Sequence, residues 1–338
     1  MQSQSIFFTG LNQVTMRDIE IADPGPDQVL VQTSKTLIST GTETICLSRL
    51  FEPNSHWDRW VHYPFTPGYS LVGRVVAIGE HANSVRVGER VALRKSHQQY
   101  CLASASEIYR IPDGVSDEDA TWFGLANIVQ NGVRRAEHRL GDSVVVIGLG
   151  LLGQLVVQYA RLSGARHVIA VDVAGPRLAM AKEHGATTVL AMDAARARDT
   201  IFDLTDGNGA DVVYDVTGAA VVFESAQQLL RRFGRLVLLG DTGTPSGQHL
   251  TGNVITRGLT IVGAHDTNPP ATSTDHAYWS HQRMARLFFT YLQRGDMRVS
   301  DLVTHRYAPL EAEQAYTTLL ENRASAMGVI FDWTRLSE

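Results

Sequence analysis

The chain has 338 residues, which is long for one hydrophobic core and suits two domains of ordinary size. Apolar residues make up 44% of it, charged residues 19%, and the formal net charge is -5, a composition that predicts a soluble globular protein without a basic footprint for nucleic acid. Its two cysteines, Cys46 and Cys101, are too few for a zinc cluster or a disulfide framework. The expected partner is therefore a small molecule, neutral or mildly charged.

The first ten residues, MQSQSIFFTG, lack the basic start and the long apolar run of a secretory signal. The uncharged stretch from Ser143 to Ala160 approaches the length of a transmembrane helix. However, it contains several glycines and two glutamines, which favour a buried strand, a tight turn and a helix. These features predict a cytoplasmic protein with no membrane partner.

The first third of the chain has the pattern of short strands and turns. The runs QVLVQTSKTLIS (28–39) and GRVVAIG (73–79) are rich in β-branched residues, and Gly and Pro clusters separate such runs. Helical spacing begins after IPDGVSDEDA (111–120), where Asp and Ser offer helix N-caps. The segment 1–120 is therefore predicted to be a β-rich domain.

The segment 121–266 alternates apolar runs with amphipathic stretches. Continuous apolar runs of this length are typical of strands that are buried on both faces of a parallel sheet, with helices as crossovers. The predicted strands are 143–148, 167–172, 187–192, 211–218, 235–240 and 259–265. The pattern predicts an α/β domain with a doubly wound parallel sheet, and the tail 267–338, which ends in the strand-like GVIFDW, is assigned back to the first domain.

A glycine motif lies at the start of this α/β segment. Gly148, Gly150 and Gly153 have the spacing G-x-G-x-x-G, directly after a predicted strand and at the start of a predicted helix. The first glycine permits the turn, the second lets the backbone approach a pyrophosphate, and the third lets helix and strand pack closely. The free N–H groups at the helix N-terminus, those of Leu151 and Leu152 among them, are suited to bind phosphate. The motif predicts a dinucleotide site.

An acidic residue follows the motif at the expected distance. Asp172 ends the next predicted strand, nineteen residues after Gly153, where a carboxylate binds the adenosine ribose and repels a 2′-phosphate. NAD is therefore expected rather than NADP. Arg177 is a further candidate for the cofactor, with a solvated helix charge as its alternative. Ligands of such folds lie at the carboxyl ends of the strands, so the candidates beside the nicotinamide half are Thr217, Gly218, Gly240, Asp241 and His265.

The chain resembles the medium-chain dehydrogenase/reductase superfamily, and within it the members that lack the zinc lobe, bacteriochlorophyllide hydroxyethyl dehydrogenase among them. The resemblance rests on PGPDQVLVQT, GTE, PGYSLVGRVVAIGEHANSVRVGERVAL, VRRAEHRLGDSVVVIGLGLLGQ, DVVYDVTG and RFGRLVLLGD. It implies a GroES-like catalytic domain, 1–120 completed by 267–338, beside a Rossmann domain, 121–266, with the active site in the cleft between them. It also implies a homodimer that pairs through the edge of the Rossmann sheet, near residue 260.

The sequence departs from the zinc-binding members at the ligand positions. It has TGTE where they have C-G-T-D, so Thr40 replaces a cysteine, and PGYS where they have P-G-H-E, so Tyr69 and Ser70 replace histidine and glutamate. The third ligand position falls at about Gly124, and the four-cysteine lobe is replaced by LRKSHQQYC. Because zinc prefers four N, S or carboxylate ligands, no zinc of either kind is expected.

Without zinc, a side chain is needed to move the proton of an alcohol substrate. The resemblance places Thr42 at the hydroxyl relay position of the family, Glu43 beside the site, Tyr69 in place of a ligand histidine, and His97 in a segment that lines the cleft. Each of the last three has a structural alternative: Glu43 as a hydrogen-bond partner, Tyr69 as a void-filler, and His97 as a loop histidine. The sequence leaves open which of them is the acid/base group.

The function expected from these residues is zinc-independent, NAD-dependent oxidation of a secondary alcohol to a ketone, on a sugar, cyclitol or similar polar ring. One alternative is NADPH-dependent reduction of an enone or quinone, against which Asp172 counts. The other is a non-catalytic NAD-binding protein, which the missing zinc ligands would permit. Fold alone does not decide among these.

Overall fold

The structure is a computed structural model that describes residues 1–336 of the chain. The chain divides into two compact units. The first unit comprises residues 1–50, 56–125 and the tail from 285 onward, and the second comprises 51–55 and 126–284.

The described residues form fifteen strands, most of them built from runs rich in Val, Ile and Leu. In chain order they are β1 Gln2–Gly10, β2 Gln13–Glu20, β3 Gln28–Leu37, β4 Leu71–Ile78, β5 Arg90–Leu93, β6 Tyr100–Ser104, β7 Tyr109–Arg110, β8 Ser143–Ile147, β9 His167–Asp172, β10 Thr188–Ala191, β11 Ala210–Asp215, β12 Leu230–Leu238, β13 Thr260–Gly263, β14 Val303–Tyr307 and β15 Gly328–Asp332.

Eleven α-helices occur over the same described range, together with four short 3₁₀ segments. The α-helices are α1 Thr40–Ser48, α2 His56–Trp60, α3 Asp117–Ala120, α4 Phe123–Arg135, α5 Leu151–Leu162, α6 Gly175–Glu183, α7 Arg198–Leu204, α8 Ala220–Gln228, α9 Asn253–Thr256, α10 His281–Arg294 and α11 Ala312–Glu321.

The first unit is β-rich. Its seven-stranded sheet contains the order β14-β15-β3-β4-β5-β7, with β6 paired to β3, while β1 and β2 form a separate hairpin. The tail contributes β14 and β15, and β15 runs antiparallel to β3, with Ile330 opposite Leu37. A core of Val29, Val31, Leu71 and neighbouring apolar side chains fills one part of this unit. The tail is therefore an integral part of the first unit's sheet.

The second unit contains one six-stranded sheet in the order β10-β9-β8-β11-β12-β13. All neighbouring strands are parallel, and every residue of β8 is buried, as expected for strands covered on both faces. Strand order reverses between β8 and β11, the switch point at which doubly wound sheets bind dinucleotides. The fold class predicted from the sequence, a β-rich domain plus a doubly wound parallel sheet, is confirmed.

The uncharged stretch 143–160 folds into β8, a turn and most of α5, as the glycines predicted. Among residues 1–336, no helix combines the length and the apolar character needed to cross a membrane. The second unit reaches Met284, beyond the expected boundary at 266. The reason is local, because the Asn127 and Gln130 side-chain amides donate to the carbonyls of His281 and Met284.

Candidate functional site

The three glycines of the motif each meet a different steric requirement. Gly148 has φ of +88°, and a Cβ there would lie 2.7 Å from Cγ2 of Thr217. A Cβ on Gly153 would lie 2.0 Å from the Gly148 carbonyl oxygen, so the helix can pack this closely against the turn only with glycine at this position. A Cβ on Gly150, in contrast, would meet no atom within 4 Å. Gly148 and Gly153 are therefore required by the geometry of the turn, whereas Gly150 leaves unoccupied space beside it.

The unoccupied space beside Gly150 lies at the N-terminus of α5. Gly150 is the N-cap residue and makes no side-chain capping bond, so no side chain from the cap covers the N–H groups of Leu151 and Leu152. Uncapped N–H groups and the positive end of the helix dipole favour a phosphate. The residues present at this turn thus fit the pyrophosphate of a dinucleotide.

Asp172 lies beside this turn, at the end of β9. Its Oδ2 accepts a hydrogen bond from the Leu149 N–H at 2.7 Å, and its Oδ1 accepts one from the Ala174 N–H at 2.8 Å. Each carboxylate oxygen keeps a lone pair for a hydroxyl group. Arg177 is half-buried on α6, where its carbonyl accepts a bond from the Gln154 amide at 2.8 Å. A ribose hydroxyl therefore suits the carboxylate that the structure presents here.

Further candidate residues lie directly after β11, β12 and β13. A Cβ on Gly218 would lie 2.9 Å from the Asp241 carbonyl oxygen, and one on Gly240 would lie 2.5 Å from the Gly218 nitrogen, so these loops are in contact. Gly240, Asp241 and His265 line one cavity of about 340 Å³. Thr217 is held by Asp215, which accepts bonds from its N–H and its hydroxyl, and burial raises the pKa of Asp215.

The residues at the family's zinc positions come together in the first unit, but they are not zinc ligands. A Cβ on Gly124 would lie 2.5 Å from the Ser70 Oγ and 3.4 Å from the Tyr69 carbonyl oxygen. The Ser70 Oγ is buried without a hydrogen-bond partner. Within residues 1–336, no group of three or more His, Cys, Asp and Glu side chains is placed to hold a metal ion. A hydroxyl, a phenol and a glycine do not fit a tetrahedral zinc site.

Tyr69 is half-buried just before β4. Its hydroxyl donates to the Ser39 Oγ at 2.5 Å, and the Thr42 side chain lies beside it. Burial raises the pKa of Tyr69 to about 12, against the opposing effects of these two side chains and of Arg94. At neutral pH Tyr69 is therefore a protonated phenol, held by the Ser39 hydroxyl.

Glu43 and His97 are paired with each other and are buried, with exposed fractions of 1% and 0%. His97 Nε2 lies 3.0 Å from Glu43 Oε2, and its Nδ1 lies 2.8 Å from the Thr36 hydroxyl. The ring also packs on Gly68, which has φ of +96° and whose added Cβ would lie 2.8 Å from the imidazole. Protein partners occupy both nitrogens of His97, and it has no exposed surface for a substrate.

Sequence reasoning did not identify four members of the hydrogen-bond network around Glu43, His97 and Tyr69, namely Thr36, Tyr316, Trp333 and Ser39. Tyr316 of α11 donates to Glu43 Oε2 at 2.5 Å, and the Trp333 Nε1 donates to the Thr36 hydroxyl at 3.0 Å. Ser39, the fourth, directly precedes TGTE and was within reach of the same motif. Tyr316 and Trp333 are separated from their partners by 273 and 297 residues, and no local pattern marks them.

Two family models match the chain, and together they span residues 25–276. The alcohol dehydrogenase GroES-like domain matches residues 25–154, and the zinc-binding dehydrogenase model matches residues 152–276. An L-threonine 3-dehydrogenase from Vibrio cholerae is 26% identical, over 95% of this chain and 96% of its own length.

Solved structures share the same fold. One protein from Sinorhizobium meliloti 1021, described as a zinc-binding dehydrogenase and bound to NADP, has a TM-score of 0.80 and 20% identity, with 98% of this chain and 99% of that chain covered. An alcohol dehydrogenase from Escherichia coli CFT073, complexed with NADH, also has a TM-score of 0.80 and 20% identity, with the same coverage. Nicotinamide cofactors of both kinds thus occur on this fold.

The chain belongs to the medium-chain dehydrogenase/reductase superfamily, as its motifs predicted. It is an oxidoreductase of the alcohol dehydrogenase type, acting on CH–OH groups. The zinc-binding description of one matching family differs from the donor set found here, because hydroxyls and a glycine occupy the ligand positions of this chain.

Proposed function

We propose that this protein is a zinc-independent, NAD-dependent dehydrogenase that oxidises a secondary alcohol on a sugar, cyclitol or similar polar ring to a ketone. Tyr69 is its acid/base group, in contact with Thr42. The observation that carries the proposal is the bond from the Tyr69 hydroxyl to Ser39, at the position where zinc-binding relatives have a ligand. A phenol there offers a proton-transfer group in place of a Lewis acid.

NAD is proposed rather than NADP because of the carboxylate of Asp172. Its oxygens are fixed by the N–H groups of Leu149 and Ala174, so the side chain cannot turn away without losing both bonds. A 2′-phosphate would bring a second negative charge to that carboxylate. Gly148, Gly150, Gly153 and the N-terminus of α5 would hold the pyrophosphate.

When bound, NAD supplies the chemistry of accepting the hydride from the carbinol carbon. The protein has to move only the hydroxyl proton. In oxidation, the deprotonated Tyr69 oxygen takes the substrate hydroxyl proton while the C=O bond forms; in reduction, the Tyr69 O–H returns it to the alkoxide oxygen. Ser39 and Thr42 orient the phenol oxygen in both directions.

Support for a polar ring as substrate comes from the first unit. The residues around the phenol are hydroxyl-bearing, namely Ser39, Thr42 and Tyr69. Trp60 is 52% exposed and packs edge-on against Phe65, with ring centroids 5.2 Å apart. An exposed indole face is a surface on which sugar rings stack.

The first experiment combines elemental analysis of the purified protein with fluorescence titrations of NADH and NADPH. We expect no zinc and tighter binding of NADH. Zinc near one atom per chain would contradict the metal-free mechanism, and a preference for NADPH would favour the enone or quinone reductase.

The second experiment measures turnover on a panel of polyols, cyclitols and L-threonine, with the Tyr69→Phe variant as the test of mechanism. We expect kcat to fall by roughly 10²–10⁴-fold in Tyr69→Phe, the usual range for an acid/base group. Because the pKa of Tyr69 is about 12, kcat/KM for oxidation in the unmodified protein should rise about tenfold per pH unit below that value. Tight NAD binding without turnover on any substrate would favour the non-catalytic alternative.

A further inference from the structure

A hydrogen-bond network of buried side chains lies behind Tyr69 in the first unit. Glu43 is its centre: Oε1 accepts the Ser39 N–H at 2.7 Å, while Oε2 lies 2.5 Å from the Tyr316 hydroxyl and 3.0 Å from His97 Nε2. Beyond His97 the network continues to Thr36 and then to Trp333. The exposed fractions of these side chains are 0–1% for Glu43, His97, Thr36 and Tyr316, so solvent does not compete for these bonds.

The donors and acceptors fix the direction of the network. The Trp333 indole N–H can only donate, so the Thr36 oxygen accepts from it and its own hydrogen is free to bond to His97 Nδ1. The Glu43 carboxylate can only accept, so His97 Nε2 carries a proton and donates to it. With Tyr316 and the Ser39 N–H, Glu43 receives three hydrogen bonds, as a carboxylate can.

The hydrogen bonds of Glu43 and His97 suit a role other than proton transfer. All their polar atoms are engaged with the protein, and neither exposes surface to a substrate. An acid/base group must reach the reacting proton directly or through one water. Of the three candidates from the sequence, Tyr69 alone is half-buried rather than fully enclosed.

What the network holds in place is Ser39, the N-cap residue of α1. A serine at an N-cap usually turns its hydroxyl onto the helix and bonds an N–H of the first turn. Ser39 makes no such bond. Its backbone N–H is instead bound by Glu43, which resembles one half of a capping box, and its hydroxyl accepts the hydrogen bond from Tyr69.

We propose that Ser39 is a positioning residue for Tyr69, and that Glu43, held by Tyr316 and His97, locks Ser39 so that its hydroxyl faces the phenol instead of capping α1. This rests on the proposed acid/base role of Tyr69. The tail helix α11 thereby determines, through Tyr316, the orientation of a group near the start of the chain. No covalent step is involved, only the direction of one hydrogen bond.

The test is a double-mutant cycle of Ser39→Ala and Tyr69→Phe, with Ser39→Thr as the variant that keeps the hydroxyl. Ser39→Ala should lower kcat about tenfold, the effect of one lost hydrogen bond, with KM and the Kd for NADH unchanged. In the Tyr69→Phe background it should have no further effect, because Ser39 acts only through that phenol. Ser39→Thr should restore most of the activity.

The remote end of the network is tested with Tyr316→Phe, which removes only the hydroxyl. Its matched control is Tyr307→Phe, another buried tyrosine of the tail, whose hydroxyl bonds Thr318 outside the network. We expect kcat to fall severalfold in Tyr316→Phe and to stay unchanged in Tyr307→Phe.

Two results of the double-mutant cycle would overturn the proposal. One is an equal loss of activity from Ser39→Ala in the unmodified protein and in the Tyr69→Phe background, and the other is full activity in Ser39→Ala.

A readout that needs no substrate separates this proposal from the proposed function. In protein labelled with ¹³C at Cζ of tyrosine, the Tyr69 signal is the one that Tyr69→Phe removes. Its chemical shift should change in Ser39→Ala and in Tyr316→Phe, but not in Tyr307→Phe. If the protein shows no turnover and the shift still changes, the function fails and the positioning role stands. An unchanged shift overturns the positioning role, whatever the activity.

Discussion

The glycine turn of the second unit, residues 148–153, differs in construction from the hydroxyl cluster of the first unit, the group of hydroxyl-bearing side chains around Tyr69. At the turn, the proposed cofactor site depends on side chains that are missing, since Gly148 and Gly153 permit close approach and Gly150 leaves open space. At the cluster, the proposed acid/base site depends on side chains at the positions of the metal ligands, since Tyr69 bonds to Ser39, and a Cβ on Gly124 would meet Ser70. One site is made by the backbone and the other by hydroxyl groups.

The difference determines how each site tolerates change. A backbone site is lost when any atom enters it, whereas a cluster of side chains loses one bond at a time. Bonds between buried partners are also coupled, so that their effects on activity are not additive. The predictions below test this contrast in order of expected effect.

The largest effect is expected from Gly153→Ala. The new methyl group would lie 2.0 Å from the Gly148 carbonyl oxygen, and the backbone of the turn has to shift to avoid it. Overpacking of this kind costs about 1–3 kcal/mol or more of the free energy of unfolding. We expect a lower Tm and an NADH affinity reduced by roughly 100-fold, measured by thermal unfolding and fluorescence titration.

The control is Gly150→Ala, where the methyl group meets no protein atom within 4 Å. Its φ of -70° suits alanine, so the Tm should be unchanged while NADH binding weakens, because the methyl group occupies the approach of the pyrophosphate. If both variants kept normal NADH binding, the cofactor would not bind at this turn.

A smaller effect, on cofactor choice, is expected from Asp172→Asn. The substitution keeps the size of the side chain and removes the charge that disfavours a 2′-phosphate. We expect the ratio of NADH to NADPH affinity to fall by about tenfold or more, measured by parallel titrations at one ionic strength. Asp199→Asn, at a carboxylate whose side chain is 90% exposed on α7 of the same unit, removes the same charge and serves as the control. An unchanged ratio in Asp172→Asn would contradict the assignment.

The same contrast explains which features the sequence could predict. The glycine spacing, Asp172 and the six apolar runs are local patterns, and their structural consequences follow within a few residues. Several strand bounds were close: β9 was predicted at 167–172 and is His167–Asp172. The bounds of β12 were not, since the predicted run was 235–240 and the strand spans Leu230–Leu238.

The hydroxyl cluster could be predicted only in part. The resemblance marks the positions of Tyr69, Thr42, Glu43 and His97, and the structure places Thr42 beside Tyr69 and His97 beside Glu43. Their catalytic role stays a prediction. Tyr316 and Trp333 could not be found, because a tyrosine on a helix and a tryptophan after a strand are ordinary core residues. Their importance arises only when the tail strand β15 pairs with β3 and brings them to Glu43 and Thr36.

The second unit also contains a buried histidine, and its surroundings differ from those of His97. His138 Nε2 lies 2.6 Å from the Tyr214 hydroxyl, while its Nδ1 lies 3.6 Å from Asp142. Burial lowers the pKa of His138 below its ordinary value, although Asp142 acts in the opposite direction. In the neutral ring with its proton on Nδ1, on the side of Asp142, Nε2 accepts a bond from the Tyr214 O–H. A proton on Nε2 would remove that acceptor.

The smallest effect is therefore a loss of stability in acid. Since the pKa of His138 is lower in the folded chain than in the unfolded chain, the unfolded state binds the proton first as pH falls through about 6.5. The free energy of unfolding should be unaffected by His138 above that pH and should decrease below it. His138→Gln, which keeps a partner for Tyr214 without titrating, should reduce the fall in Tm between pH 7.5 and pH 5.5 by a few degrees.

The control is His81→Gln, at a side chain that is 63% exposed, which should leave the fall in Tm unchanged. An equal fall in all three proteins would mean that protonation of His138 has no effect on the second unit, and that the acid sensitivity arises from other groups.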